Sequence, residues 1–157
     1  MTYLILKTIH ILSSTLLFGA GTGTAILIFR AFLMRNDERN EALQFALNHA
    51  ISVDWYFTLA AGIVQLITGI TMGIMAGYSF TGGWLFASLL LFIAVFSLWV
   101  PAAALQMRMK KDLLHSSGEI TPAFHRMIKI WIMLGIPAFI LMIFIFILMI
   151  FRSQIFF

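Results

Sequence analysis

The chain has 157 residues, 62% of them apolar, a mean hydropathy of +1.02 and a formal charge of +4. That hydropathy excludes a water-soluble domain, and basic residues lying beside apolar runs answer to anionic lipid and membrane topology rather than to nucleic acid. The absence of cysteine excludes disulfides, thiolate metal sites and cysteine nucleophiles.

Every charge except Lys7, Asp54 and Arg152 falls within residues 30–41 or 108–129, leaving 8–29, 55–107 and 130–151 free of charge. A hydrocarbon core about 30 Å thick needs roughly 20 apolar residues in helix to cross it. The first and third stretches are one span each. The middle one is two spans joined by the turn Gly77-Tyr-Ser-Phe-Thr-Gly-Gly83. The expected fold is all-α: one four-span integral membrane bundle over residues 1–157, with spans near 3–29, 51–76, 84–107 and 128–151.

The first helix is expected from Thr2 to about Arg35. Lys7 ahead of an apolar run, followed by Phe18-Gly-Ala-Gly-Thr-Gly-Thr-Ala25, has the look of a signal peptide. The apolar run continues to Phe29, longer than the roughly 7–15 residues of a signal core, so an uncleaved span is expected. Asn36-Asp37-Glu38 offers cap residues for a second helix, which begins near Arg39 as the amphipathic stretch Glu41–Leu47 and ends at Gly77. A third helix runs from Trp84 to His115 and breaks at Ser116-Ser117-Gly118. Thr121-Pro122 then reads as an N-cap followed by proline in the first turn. A fourth helix runs to about Arg152. Pro101 and Pro137 lie within spans, where each frees a carbonyl and favours a local kink.

Arg30, Arg35, Arg39, Arg108, Lys110, Lys111, Arg126 and Lys129 flank two loops, whereas the opposite side carries only Lys7 and Arg152. The positive-inside bias therefore puts those two loops in the cytoplasm and both termini on the extracytoplasmic side. Tyr78 and Trp84 fit an outer aromatic belt, Trp55 and Trp131 an inner one. Helices of about 30 residues exceed the bilayer, so the bundle is expected to protrude on the inner side.

Polar and small residues recur on helical faces: Lys7, His10, Ser14, Leu17, Gly21 and Thr24 on the first helix, and Asp54, Thr58, Ala61, Gln65, Thr68 and Met72 on the second. The fourth offers Trp131, Gly135, Ala138, Met142, Ile145 and Met149. Such seams, and Gly19-x-x-x-Gly23, are ordinary packing devices between membrane helices.

His10 is the leading candidate for chemistry. Helical rise puts it roughly 10 Å inside the outer face, where ionisable groups usually turn into the bundle. A neutral imidazole there binds haem iron or another metal, relays a proton, or hydrogen-bonds a neighbouring helix. Gln65 and Met142 fall at the same level, which makes a His10–Met142 haem geometrically open. His49, His115 and His125 lie near or beyond the inner face. Met72, Met142 and Met149 lie toward the outer side, where thioethers suit Cu(I) as readily as packing. Asp54 sits near the inner end of the second span. Arg30, Arg108, Arg126 and Lys129 share its level, so a structural ion pair is expected there, with a place on a proton path as the alternative; Lys7 is at the opposite face. No nucleophile–base pair or phosphate loop is present.

Leu4-x-x-Lys7-x-x-His10-Ile-Leu-Ser13, Phe18-Gly-x-Gly-x-Gly-x-Ala25, Val53-Asp54-Trp55-x-Phe57, Gln65-x-x-Thr68-Gly69 and Trp131-x-x-x-Gly135-x-Pro137-Ala138-Phe139 span nearly the whole chain. This set resembles the membrane family filed as domain of unknown function 2269, which implies a multi-pass protein of the bacterial inner membrane with no assigned activity. More remotely, Lys7-x-x-His10 is similar to the HemJ-type protoporphyrinogen oxidases and the copper-resistance D proteins. The former imply a b-type haem, carried over to Lys7 and His10 only. The expected function is thus a redox or haem-associated membrane protein built around His10. The alternatives are a non-catalytic subunit that assembles with itself or a membrane partner, and a copper-handling protein.

Overall fold

The computed structural model describes residues 1–35 and 40–155, with side chains through residue 151. Among the described residues the only regular elements are helices: α1 (Thr2–Leu33), α2 (Glu41–Val53), a π-helical turn (Asp54–Thr58), α3 (Leu59–Met75), α4 (Gly83–His115) and α5 (Pro122–Ile155). α2, the π turn and α3 form one continuous rod. The four resulting rods are each long and apolar enough to cross a membrane. The chain is a four-span integral membrane protein.

The ends of the rods follow local chemistry. The 76–82 turn enters and leaves through left-handed Gly77 (φ 69°) and Gly83 (φ 75°), a conformation that carries no steric penalty for glycine. Between α4 and α5, Ser117 (φ 55°) and Gly118 (φ 96°) reverse the chain. Thr121 caps α5 as expected, its Oγ1 accepting from the Phe124 N–H at 3.0 Å while donating to Asp112 at 2.6 Å. The cap expected at Asn36-Asp37-Glu38, and Arg39 beside it, lie outside the described residues. Asn40 does the joining there: its Nδ2 donates to the Gly118 carbonyl at 2.9 Å and ties the two charged loops together. α4 and α5 run unbroken through Pro101 and Pro137.

α1 packs on α2 and α3, and α4 on α2 and α5, whereas α1 and α5 barely touch. Packing is densest at the end carrying the charged loops. The fully buried large side chains are Ile28, Leu43, Leu47, Met109, Leu113, Phe124 and Ile128, all in one cluster. The physical reason is solvent. Where helices extend past the hydrocarbon, water drives apolar faces together; within lipid no such force acts, and association relies on close contact alone.

Two expectations change. Trp131 is not a belt residue: it is buried in the cluster at the charged-loop end, because it faces α4 rather than the lipid. Gly19 and Gly23 form no seam within the bundle. Both are exposed, and a Cβ on either would meet nothing within 4 Å.

Candidate functional site

Two polar constellations lie between the helices. The first is the histidine seam. His10 stands on α1 against Gln65 and Thr68, one turn apart on α3. Its Nε2 lies 2.9 Å from Gln65 Nε2, and its Nδ1 lies 2.8 Å from Thr68 Oγ1. An amide nitrogen only donates, so His10 Nε2 accepts and the ring proton resides on Nδ1. Thr68 Oγ1 accepts that proton and donates its own to the Val64 carbonyl at 2.7 Å. Ser13 Oγ donates to Gln65 Oε1 at 2.6 Å, which holds the amide in the same orientation. With Nε2 accepting and Nδ1 donating, the imidazole is neutral in this arrangement and both its nitrogens are engaged.

Of the residues expected around His10, Gln65 is brought to it and Met142 is not. Ile145 and Met149, one and two turns farther along α5, line the space beside the ring instead. The level assigned from helical rise alone ignores how far each helix slides along the membrane normal. The space beside the ring is about 50 Å³, room for a water-sized group or two, not for a porphyrin. These residues therefore do not fit a haem ligated by His10 in this arrangement. Among the described residues, no three His, Asp or Glu side chains converge as a metal site.

The second constellation surrounds Asp54. The π turn carries it at the join of α2 and α3, where one extra residue per turn redirects the side chain; such bulges recur at functional positions. Asp54 is 4% exposed. Its Oδ1 accepts from Thr58 Oγ1 at 3.0 Å, and its Oδ2 has no hydrogen-bond partner. The expected basic partner is not there: Arg30, Arg108, Arg126 and Lys129 are exposed on the outside of the bundle, as is Lys7 at the far end. Gln106 and Trp99 of α4 stand near the carboxylate instead. Gln106 Oε1 and Trp99 Nε1 are themselves buried without a partner.

All three unpartnered atoms belong to residues lining one cavity of about 500 Å³ between α1, the π turn, α4 and α5. The rest of its wall is largely apolar and aromatic, with Phe18, Phe29, Phe96, Trp131 and Phe139 among the lining residues. Phe18 stacks on Phe139 at 5.2 Å and so joins α1 to α5 at one end of the cavity. Elsewhere, lining residues Ile26 and Phe29 on α1 and Gly135 and Ile136 on α5 are also exposed, so its mouth lies between these two poorly packed helices.

Residues 4–153 match the family model described as a predicted integral membrane protein, DUF2269. The chain belongs to this family. No curated protein and no solved structure matches it, so the remoter likeness to the HemJ-type oxidases and copper-resistance D proteins rests on Lys7 and His10 alone. In this DUF2269 protein, Trp99 and Gln106 were not legible as site residues, since α4 reads as a plain apolar span. The available signal was Gln106 itself, a polar residue at the depth of Asp54.

Proposed function

We propose that the protein binds a hydrophobic small molecule within the bilayer, taking it up sideways through the opening between α1 and α5. One observation carries this reading: Asp54 Oδ2, Trp99 Nε1 and Gln106 Oε1, three buried polar atoms without partners, belong to residues that line a single largely apolar cavity. A buried polar group left unsatisfied costs about 1–3 kcal/mol. Trp99 and Gln106 stand beside the Asp54 carboxylate without closing well-formed bonds to it, and a bound molecule supplies the partners. Binding sites are typically such concave, mainly apolar spaces with a few convergent polar groups. The setting proposed is the bacterial inner membrane, with the charged loops in the cytoplasm.

The redox or haem reading receives less support, because both nitrogens of His10 are occupied. The imidazole serves better as a link between α1 and α3.

The binding reading is tested by photolabelling the full chain in lipid nanodiscs with an uncharged hydrophobic diazirine. Label is expected on peptides carrying Trp99 and Gly135, and Gly21→Leu, which projects into open space at the cavity wall, should remove it. Labelling spread evenly over the lipid-facing residues, unchanged in that variant, would refute the reading.

A second reading, self-association, is favoured by Gly19-x-x-x-Gly23, an exposed motif of the kind that lets two membrane helices approach closely. Cross-linking in membranes should then yield a dimer that Gly23→Ile abolishes. Unchanged cross-linking counts against it.

A further inference from the structure

Resting on the binding reading above, we propose that the cavity's occupant is a lipophilic organic cation that carries an N–H donor.

Charge is the first ground. The cavity holds one carboxylate, and among the described residues no basic side chain lines it. Asp54 takes a hydrogen bond from the Thr58 hydroxyl, and the groups beside it on α4, the Gln106 amide and the Trp99 indole, are neutral as well. A carboxyl in a low-dielectric interior either holds a proton or is matched by a positive group. Among the described residues none lines the cavity, so a ligand is the source of positive charge that keeps Asp54 ionised.

Hydrogen-bond polarity is the second. Two of the three unpartnered atoms, Asp54 Oδ2 and Gln106 Oε1, are acceptors, and one, Trp99 Nε1, is a donor. The complement is a molecule with N–H groups for the first two and one acceptor atom for the third. A quinone or other carbonyl compound, which only accepts, matches Trp99 and neither of the acceptors.

The wall is the third. Aromatic rings of Phe18, Phe96, Trp99 and Trp131 line the same space as the carboxylate. Ring faces attract cations, and more strongly once water is excluded. The apolar remainder of the wall and the sideways mouth call for a body that partitions into lipid before it binds.

Rhodamine 6G meets these requirements: a delocalised cation with secondary amine N–H groups and an ester carbonyl. Its binding is read by fluorescence anisotropy with the full chain in phosphatidylcholine nanodiscs, against nanodiscs without protein. One saturable site per chain is expected. Asp54→Asn should weaken binding by roughly 100-fold, since it strands a buried cation, while Asp54→Glu should restore most of it. Gly21→Leu, which leaves all three polar groups intact, should also abolish binding. The neutral acceptor decylubiquinone should compete poorly.

Equal affinity of rhodamine 6G for wild type and Asp54→Asn would overturn the proposal. So would decylubiquinone displacing the dye and binding the Asn variant as well as wild type; the cavity would then be a site for neutral molecules. Should the dye fail to bind while diazirine labelling still maps to the cavity, the cation assignment alone falls. Failure of both removes the binding reading with it.

Discussion

A Cβ placed on Gly69 would stand 3.1 Å from Cε1 of His10. The glycine on α3 and the imidazole on α1 share one space, and the absence of a side chain at residue 69 lets the ring reach both Gln65 and Thr68. Gly69→Ala should push the ring off its partners and lower stability in detergent by about 1–2 kcal/mol, as overpacking does elsewhere. Gly23→Ala meets nothing within 4 Å and should stabilise the helix by up to about 1 kcal/mol. Thermal unfolding followed by circular dichroism separates the two; equal effects would mean that the His10 contact carries no energy.

The His10–Gln65 bond predicts coupling. His10→Ala and Gln65→Ala should each cost about 1–3 kcal/mol, because each leaves a buried partner unsatisfied. The double variant should cost less than their sum. Strict additivity would show that the two side chains act independently. The same bond predicts that protein purified from haem-supplemented cells shows no Soret band. A band that disappears in His10→Ala would instead make the imidazole an iron ligand.

Among the described residues Asp54 has no basic partner to lose. Asp54→Asn should therefore leave stability unchanged or raise it by up to about 1–2 kcal/mol, since an amide is cheaper to bury than a carboxylate. A drop of about 3 kcal/mol or more is the signature of a broken buried ion pair. It would reinstate an anchoring role for Asp54. Denaturation of both proteins in the same detergent decides the matter.

Reporter fusions test the orientation. Fusions at Ser79 and after Phe157 should read as extracytoplasmic, and one at Gly118 as cytoplasmic, given the Lys/Arg bias toward the two charged loops. A cytoplasmic signal from Ser79 would invert the whole bundle.

The four rods were legible in the sequence because hydrocarbon tolerates charge so poorly that the boundaries are written in Lys, Arg, Asp and Glu. The α1 face was legible only approximately. Ser14 was expected in the seam, whereas Ser13 is the buried residue there. Ser14 returns its hydroxyl to the Ile11 carbonyl, as Thr8 does to Leu4 and Thr15 to Ile11. Such local bonds satisfy a hydroxyl without any neighbouring helix, so polarity alone does not mark the packed face. Along the π turn and α3 the expected face does turn inward: Asp54, Thr58, Ala61 and Thr68 are buried, and Gln65 and Met72 are half-buried. Neither the π turn nor the approach of Trp99 and Gln106 to Asp54 could be read from the sequence. Both depend on how α4 lies against the α2–α3 rod, which no single helix encodes.

The packing gradient along the bundle has a mechanical consequence. Among the described residues, seven large side chains are fully buried at the charged-loop end, while α1 and α5 approach each other little and meet within the membrane through Phe18 against Phe139 and Phe146. A structure clamped at one end and loose along its length bends like a pair of tweezers. Small rotations about the clamp become larger displacements farther up the helices, and few contacts resist a change in the separation of α1 and α5. Bilayer thickness and lateral pressure act on that separation directly. The lipid around the protein is thus a mechanical load as well as a solvent.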